Sequence, residues 1–339
     1  MSDPSTDPIQ FITNDSNEIE FKAVENYKHE DKAGTKLTAQ FRYGNKYGDE
    51  TFFSTYWKPG EGAQIGQGSV NALVFICHGY CEYIGEAYEE LGKQLSLQLG
   101  KGCLVFGHDH IGHGRTTVGD RALVNEMDEF VDPIIAHVEA VQKWSNCGEG
   151  NLPVFLVGHS MGGLISLFTL FKKQSLFQGF IGIGPLVMID PDMATPSKKF
   201  LAKQMQSYFP KFSLPSFIDA IDIEQITRDK EVVEKIRKDK LRYHGGTKAR
   251  LGWVLLQSCE IAQNNLSNLT LPLLVLQGEK DKLVVPAGAK MITDNASSTD
   301  KEYKEYPDAM HQLLVELEDV KSDVHSKIIE WIRNRLDKN

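Results

Sequence analysis

The sequence predicts an α/β fold, with a mostly parallel central sheet carrying helices on both faces and one long helical insertion. Three observations carry this expectation. Short β-branched runs, ALVFIC (72–77), CLVF (103–106), PVFLV (153–157) and FIGIG (180–184), alternate with segments of helical periodicity, as expected where strands and helices bury one another. Between Pro185 and Leu271 the alternation stops, and the residues read as mainly helical with breaks at Pro191, Pro196, Pro210 and Pro215. It resumes at LPLLVLQG (271–278).

Residues 1 to about 34 are polar and weakly patterned, which predicts an extension outside the fold. Lys36 to Tyr43 and Thr51 to Trp57 have strand character and flank the turn GNKYGDE, which suggests a hairpin ended by Trp57-Lys58-Pro59-Gly60. Helices are expected over EAYEELGKQLSLQL and over the segment that places Phe130, Val131, Ile134, Ile135, Val138 and Val141 on one face. Pro286 is placed to open a helix after LPLLVLQG. Strand-like EYKEY and the amphipathic VHSKIIEWIRNRL close the chain. The expected division is an extension (1–34), a core (35–185 and 266–339) and an insertion (186–265).

Of the 339 residues, 41% are hydrophobic and 24% charged, the balance of a soluble globular protein. A formal charge of -9 argues against nucleic acid as a partner, since phosphate neutralisation calls for a basic surface. The start, MSDPSTDPIQFITNDSNEIEF, has no basic and apolar regions of a secretory signal, and no run of 18 apolar residues suggests a membrane span. Cys77, Cys81, Cys103, Cys147 and Cys259 have neither disulfide-framework nor zinc spacing, so a reducing, cytoplasmic setting is expected.

The pentapeptide GHSMG fits G-x-S-x-G, with a strand before Ser160 and an apolar helix after it, as a nucleophile elbow requires. Side chains at Gly158 or Gly162 would collide with the neighbouring strand or helix. A serine hydroxyl needs a base to take its proton and a carboxylate to orient that base. In the α/β-hydrolase order the acid follows a later strand, which favours Asp281 over Glu279, with Asp190, Asp192 and Asp308 as weaker alternatives. Only His311 and His325 follow Asp281. His311 lies in the loop YPDAMHQLL and is the candidate base, whereas His325 is expected on the surface of the last helix. Two N–H donors are needed for the oxyanion, and Met161, after the nucleophile, and Tyr80, after ALVFIC, are the candidates. Glu82 and His159, beside these donors, are the candidate substrate-binding residues.

His108-Asp109-His110-Ile111-Gly112-His113 nearly spells H-x-H-x-D-H, a metal ligand set, but Gly112 stands where the second carboxylate should be. A hydrogen-bonded loop near the site is the expectation. PSKKFLAKQMQSYFPKFSLP (196–215) interleaves Lys198, Lys199, Lys203 and Lys211 with Phe200, Leu201, Met205, Tyr208, Phe209 and Phe212. It is a candidate for peripheral contact with an anionic membrane, or a cover over a lipid pocket.

Taken together, HGYCE, FGHDHIGHG, PVFLVGHSMGG, GPLV, LPLLVLQGEKD and His311 resemble the monoglyceride lipase family of serine hydrolases, over about residues 50 to 335. The resemblance implies the α/β-hydrolase fold, Ser160 as nucleophile, Asp281 and His311 as its partners, and Tyr80 and Met161 as oxyanion donors. It also implies a helical cap over an acyl-chain tunnel, and hydrolysis of monoacylglycerols to fatty acid and glycerol with no cofactor or metal. The sequence departs from the family where a small residue and then Gly-Glu-His commonly follow His-Gly. Tyr80, Cys81 and Tyr83 stand at three of these positions, and Glu86 lies near a usually basic one. A lysophospholipase or broad carboxylesterase is therefore the alternative activity, and a non-catalytic lipid-binding protein the alternative class.

Overall fold

The computed structural model describes residues 9–13, 19–23, 36–45, 48–59, 70–99, 102–116, 119–145, 152–190, 192, 195–213 and 221–337. The central strands are β5 (Ala72–Cys77), β6 (Cys103–His108), β7 (Val154–His159), β8 (Gly179–Ile183), β9 (Leu273–Gly278) and β10 (Lys301–Tyr306). They run parallel in the order β10-β9-β8-β7-β5-β6. The expected hairpin is present as β3 (Lys36–Asn45) and β4 (Gly48–Trp57), and β4 joins the sheet antiparallel to β6.

Alternation along β5 explains the layers. Leu73, Phe75 and Cys77 enter one core with α2 (Asp128–Ser145), α3 (Met161–Lys173) and α7 (Pro286–Asn295). Ala72, Val74 and Ile76 enter a second core with α1 (Glu86–Gln98) and α8 (Glu318–Leu336). The side-chain period of two sends neighbouring residues to opposite faces, so a strand buried on both faces reads as one apolar run. The mostly parallel sheet with helices on both faces is thus observed.

Between β8 and β9 lie α4 (Pro196–Tyr208), α5 (Lys230–Lys238) and α6 (Ala249–Asn265). Pro196 is at the start of α4, where its missing N–H has no helical partner to lose. Asp229 caps α5 by accepting from Glu231 and Val232 N–H. Helix α6 is rooted in the core, because Leu251, Val254, Leu255, Cys259 and Ala262 pack in the same cluster as Leu164 and Ile165 of α3.

Two expectations are corrected. The first 34 residues contribute β1 (Ile9–Thr13) and β2 (Ile19–Ala23), which pair antiparallel, and β1 extends the sheet beside β3. Their alternation (IQFIT, IEFKA) was masked by the polar residues around them. His325 is buried, not on the surface. Three and four residues on from it stand Ile328 and Ile329, so it lies in the apolar stripe of α8.

Candidate active site

Ser160 lies between β7 and α3 at φ 53°, a left-handed conformation that a side chain adopts only where the surroundings enforce it. Its N–H donates to Ile183 O at 3.1 Å, while its carbonyl accepts from Gly163, Leu164 and Leu186 N–H. Glycines make the approach possible. A Cβ at Gly158 would lie 2.4 Å from Ser166 Oγ, and one at Gly162 would lie 2.1 Å from Cys77 O.

The loops after β9 and β10 bring Asp281 and His311 together. His311 Nδ1–H donates to Asp281 Oδ2 at 2.7 Å, and both side chains are buried. Asp281 Oδ1 accepts from Leu283 and Val284 N–H at 2.9 and 3.1 Å, and Gln277 Nε2 donates to Oδ2 at 2.9 Å. Burial pushes the Asp281 carboxyl upward, but His311 and these donors outweigh it and hold the group below its usual range. Gly184, at φ 49°, lies against the pair, and a Cβ there would come within 3.1 Å of the His311 carbonyl oxygen, closer than a relaxed contact. Glu279 is instead exposed, accepting from Lys280 and from Asp308 N–H.

The turn Gly79-Tyr80-Cys81-Glu82 stands against the elbow, since a Cβ at Gly79 would lie 3.2 Å from Ser160 Cβ. It is closed by Glu82 N–H donating to Gly79 O at 3.3 Å. Met161 opens α3 with its side chain fully in the core, leaving its backbone as the part that can serve the site.

Both expected substrate-binding residues are heavily engaged within the protein. Glu82 Oε2 accepts from Gly79 N–H at 3.1 Å and Tyr88 OH at 2.5 Å; Oε1 accepts from Arg242 Nη2 and Gln312 Nε2, each at 3.3 Å. Burial raises its pKa, but His159, Arg242 and the Tyr88 hydrogen bond lower it further, so it is held ionised well below the usual range. His159 Nδ1–H donates to Ile183 O at 2.9 Å, and its ring lies 4.8 Å from that of His311. Burial lowers its pKa to about 4, so it is neutral near pH 7.

The histidine-rich loop is a scaffold beside the site. Asp109 accepts from Ile84 N–H at 2.8 Å and from Arg115 N–H and Nε at 2.8 and 3.1 Å. His78 Nδ1–H donates to Gly79 O, and its Nε2 accepts from His110 N–H, tying this loop to the turn Gly79-Tyr80-Cys81-Glu82. Among the described residues, no group of three or more His, Cys, Asp or Glu is placed to hold a metal.

Sequence reasoning missed Gln277, Gly184, Arg242, Gln312 and His78. Gln277 had a signal, being the single polar side chain in the buried strand LLVLQG. Arg242 had none, because its partner is 160 residues away.

Comparison with known proteins identifies the family of the chain. Residues 68–318 match the family described as serine aminopeptidase, S33 (Hydrolase_4). Monoglyceride lipase from Homo sapiens is 37% identical over 283 residues, covering 84% of this chain and 87% of the relative. Monoacylglycerol lipase from Mycolicibacterium smegmatis is 30% identical, covering 78% and 89%. The crystal structure of a soluble variant of monoglyceride lipase from Saccharomyces cerevisiae superposes with a TM-score of 0.74 at 23% identity, covering 91% of this chain and 99% of that one. The chain belongs to the serine aminopeptidase S33 family of α/β-hydrolases and, within it, to the monoglyceride lipases.

Proposed function

We propose that the protein hydrolyses monoacylglycerols to a fatty acid and glycerol through an acyl-enzyme on Ser160. The observation that carries this is the 2.7 Å bond from His311 to Asp281, on loops that follow β10 and β9 at the same end of the parallel strands as the Ser160 elbow after β7. Ser160 Oγ attacks the ester carbonyl, His311 Nε2 takes its proton, and the imidazolium then protonates the departing glycerol oxygen. Water, activated by the same nitrogen, cleaves the acyl-enzyme. Asp281, an acceptor only while ionised, fixes the proton on Nδ1 and leaves Nε2 free to act as base. Backbone N–H groups of Tyr80 and Met161 receive the oxyanion. Glu82 and His159 act from beneath the head-group side of the pocket.

Residues 186–265 form the cap, with α6 as its root. Phe200 and Tyr208 of α4 are 66% and 73% exposed, and Leu201, Phe209 and Phe212 are also exposed. Such a patch, rimmed by Lys198, Lys203 and Lys211, fits insertion into an anionic bilayer surface, from which a long acyl chain enters the cap. Lys199 and Lys211 also pair with Glu260 and Asp120. No helix among the described residues is long and apolar enough to cross a membrane. A cytoplasmic location is inferred from Cys77, Cys81, Cys103 and Cys259, which are buried free thiols.

Turnover of long-chain monoacylglycerols, lysophospholipids and short nitrophenyl esters tests the substrate class. Preference for lysophospholipid would favour the alternative suggested by Tyr80, Cys81 and Tyr83, and no turnover of any ester would replace the enzyme with a lipid carrier.

A further inference from the structure

We infer that the insertion segment from Asp239 to Tyr243 is a brace that holds the oxyanion turn in its working shape, with Arg242 as a positioning residue. The inference rests on the assignment of Tyr80 as an oxyanion donor.

The turn needs outside support. Its third position, Cys81, has φ 64°, whereas Tyr80 before it does not have positive φ. That is the pattern of a type II turn, whose third residue is ordinarily glycine because a Cβ is strained there. A non-glycine residue at this position disfavours the turn relative to relaxed backbone, so neighbouring contacts must hold it.

Those contacts come from one short stretch of the insertion. Tyr243 N–H donates to the carbonyl of the strained residue, Cys81 O, at 3.2 Å. Tyr83 OH donates to Asp239 Oδ2 at 2.8 Å. Arg121 bridges the same stretch to the histidine-rich loop, donating to Leu241 O at 2.7 Å and to Gly114 O at 2.6 Å. Arg242 reaches the buried carboxylate of Glu82, whose other oxygen holds the first N–H of the turn.

The charge arithmetic singles out Arg242. Glu82 is buried, with the His159 ring 4.0 Å away and the Arg242 guanidinium 3.3 Å from Oε1. Tyr88 and Gln312 contribute only dipoles. Arg242 is the formal positive charge in contact with the carboxylate, and its own side chain is only 9% exposed. Without it Glu82 would take up a proton or draw in water, either of which loosens its grip on Gly79 N–H. A donor that shifts by a fraction of an ångström no longer meets the oxyanion well, whatever ester is bound.

Arg242→Gln and Arg242→Lys are assayed on a long-chain monoacylglycerol in micelles and on 4-nitrophenyl acetate, with fluorophosphonate labelling of Ser160 in parallel. Arg242→Gln is expected to lower kcat at least about tenfold on both esters with KM nearly unchanged, and Arg242→Lys to restore most of kcat. A KM rise confined to the monoacylglycerol would make Arg242 a head-group contact and overturn the brace. Equal losses in both variants, tracking an equal fall in thermal midpoint, would reduce it to a fold contact and overturn it too. The underlying site reading fails separately, if the unsubstituted enzyme is not labelled at Ser160. An enzyme labelled there, whose Gln variant keeps full kcat, rejects the brace alone.

Discussion

Adding one methyl group at Gly162 should disable the enzyme from behind the site. Gly162 is the second residue of α3, and a Cβ there would lie 2.1 Å from Cys77 O, 2.6 Å from Cys77 C and 2.5 Å from His78 O. Carbon and carbonyl oxygen rest no closer than about 3.3 Å, so helix and strand must part by about 1 Å. The obstructing atoms are backbone and cannot swing aside as a flexible side chain would. Overpacking of this kind costs about 1–3 kcal/mol, and the upper end is expected here. The displaced backbone leads within two residues to Tyr80, and a 1 Å misplacement of catalytic groups costs on the order of 10²-fold in rate. Gly162→Ala is measured by urea denaturation and by kcat on a soluble ester. Gly119→Ala is the control, because nothing lies within 4 Å of its Cβ and only its φ of 73° is strained; it should lose roughly 1–2 kcal/mol and keep its activity. Wild-type stability and rate in Gly162→Ala would refute the packing argument.

Asp281→Asn should lower kcat by on the order of 10⁴ with little change in KM, because an amide no longer fixes the His311 tautomer; steady-state kinetics check this. The depressed pKa of Asp281 contributes stability above the ordinary carboxyl range that is lost as pH falls through the depressed value, so the Asn variant should show a shallower acid limb in urea midpoints. Burial lowers His113 to about 4 and His137 to about 3, so the unfolded chain binds more protons from about pH 6.5 down to those values. Stability contributed by each neutral histidine is full above that window and falls by about 1.4 kcal/mol per pH unit within it; unfolding midpoints unchanged between pH 6.5 and 4.5 would contradict this. Replacing Phe200, Leu201, Phe209 and Phe212 by serine should abolish co-sedimentation with anionic liposomes while sparing hydrolysis of a water-soluble ester. Neutralising Lys198, Lys199, Lys203 and Lys211 should weaken it and remove its salt dependence.

The parts legible in the sequence share a local signal. Strands β5, β7 and β9 are mainly apolar because both faces are covered, and the elbow between β7 and α3 is spelled by glycines at which a Cβ would lie within 2.6 Å of neighbouring atoms. Asp281 and His311 could be ordered along the chain because each follows a strand. What stayed hidden depends on contacts far apart in sequence. Glu82 read as a group facing substrate, and its contacts with Tyr88, Arg242 and Gln312, the last two about 160 and 230 residues away, gave no sign in the sequence. His325 read as a surface residue since histidine is polar, although its helix position points it into the core. Strands β1 and β2 were concealed by composition, which averages over the alternation that matters.

The central claim is that Ser160, activated by His311 and Asp281, is the acyl-carrying residue. Incubating the protein with a fluorophosphonate and mapping the adduct by peptide mass spectrometry tests it directly. A single adduct on the peptide containing Gly158-His159-Ser160-Met161-Gly162, lost in Ser160→Ala together with monoacylglycerol hydrolysis, is expected. An adduct on another residue, or hydrolysis that persists in Ser160→Ala, would contradict it.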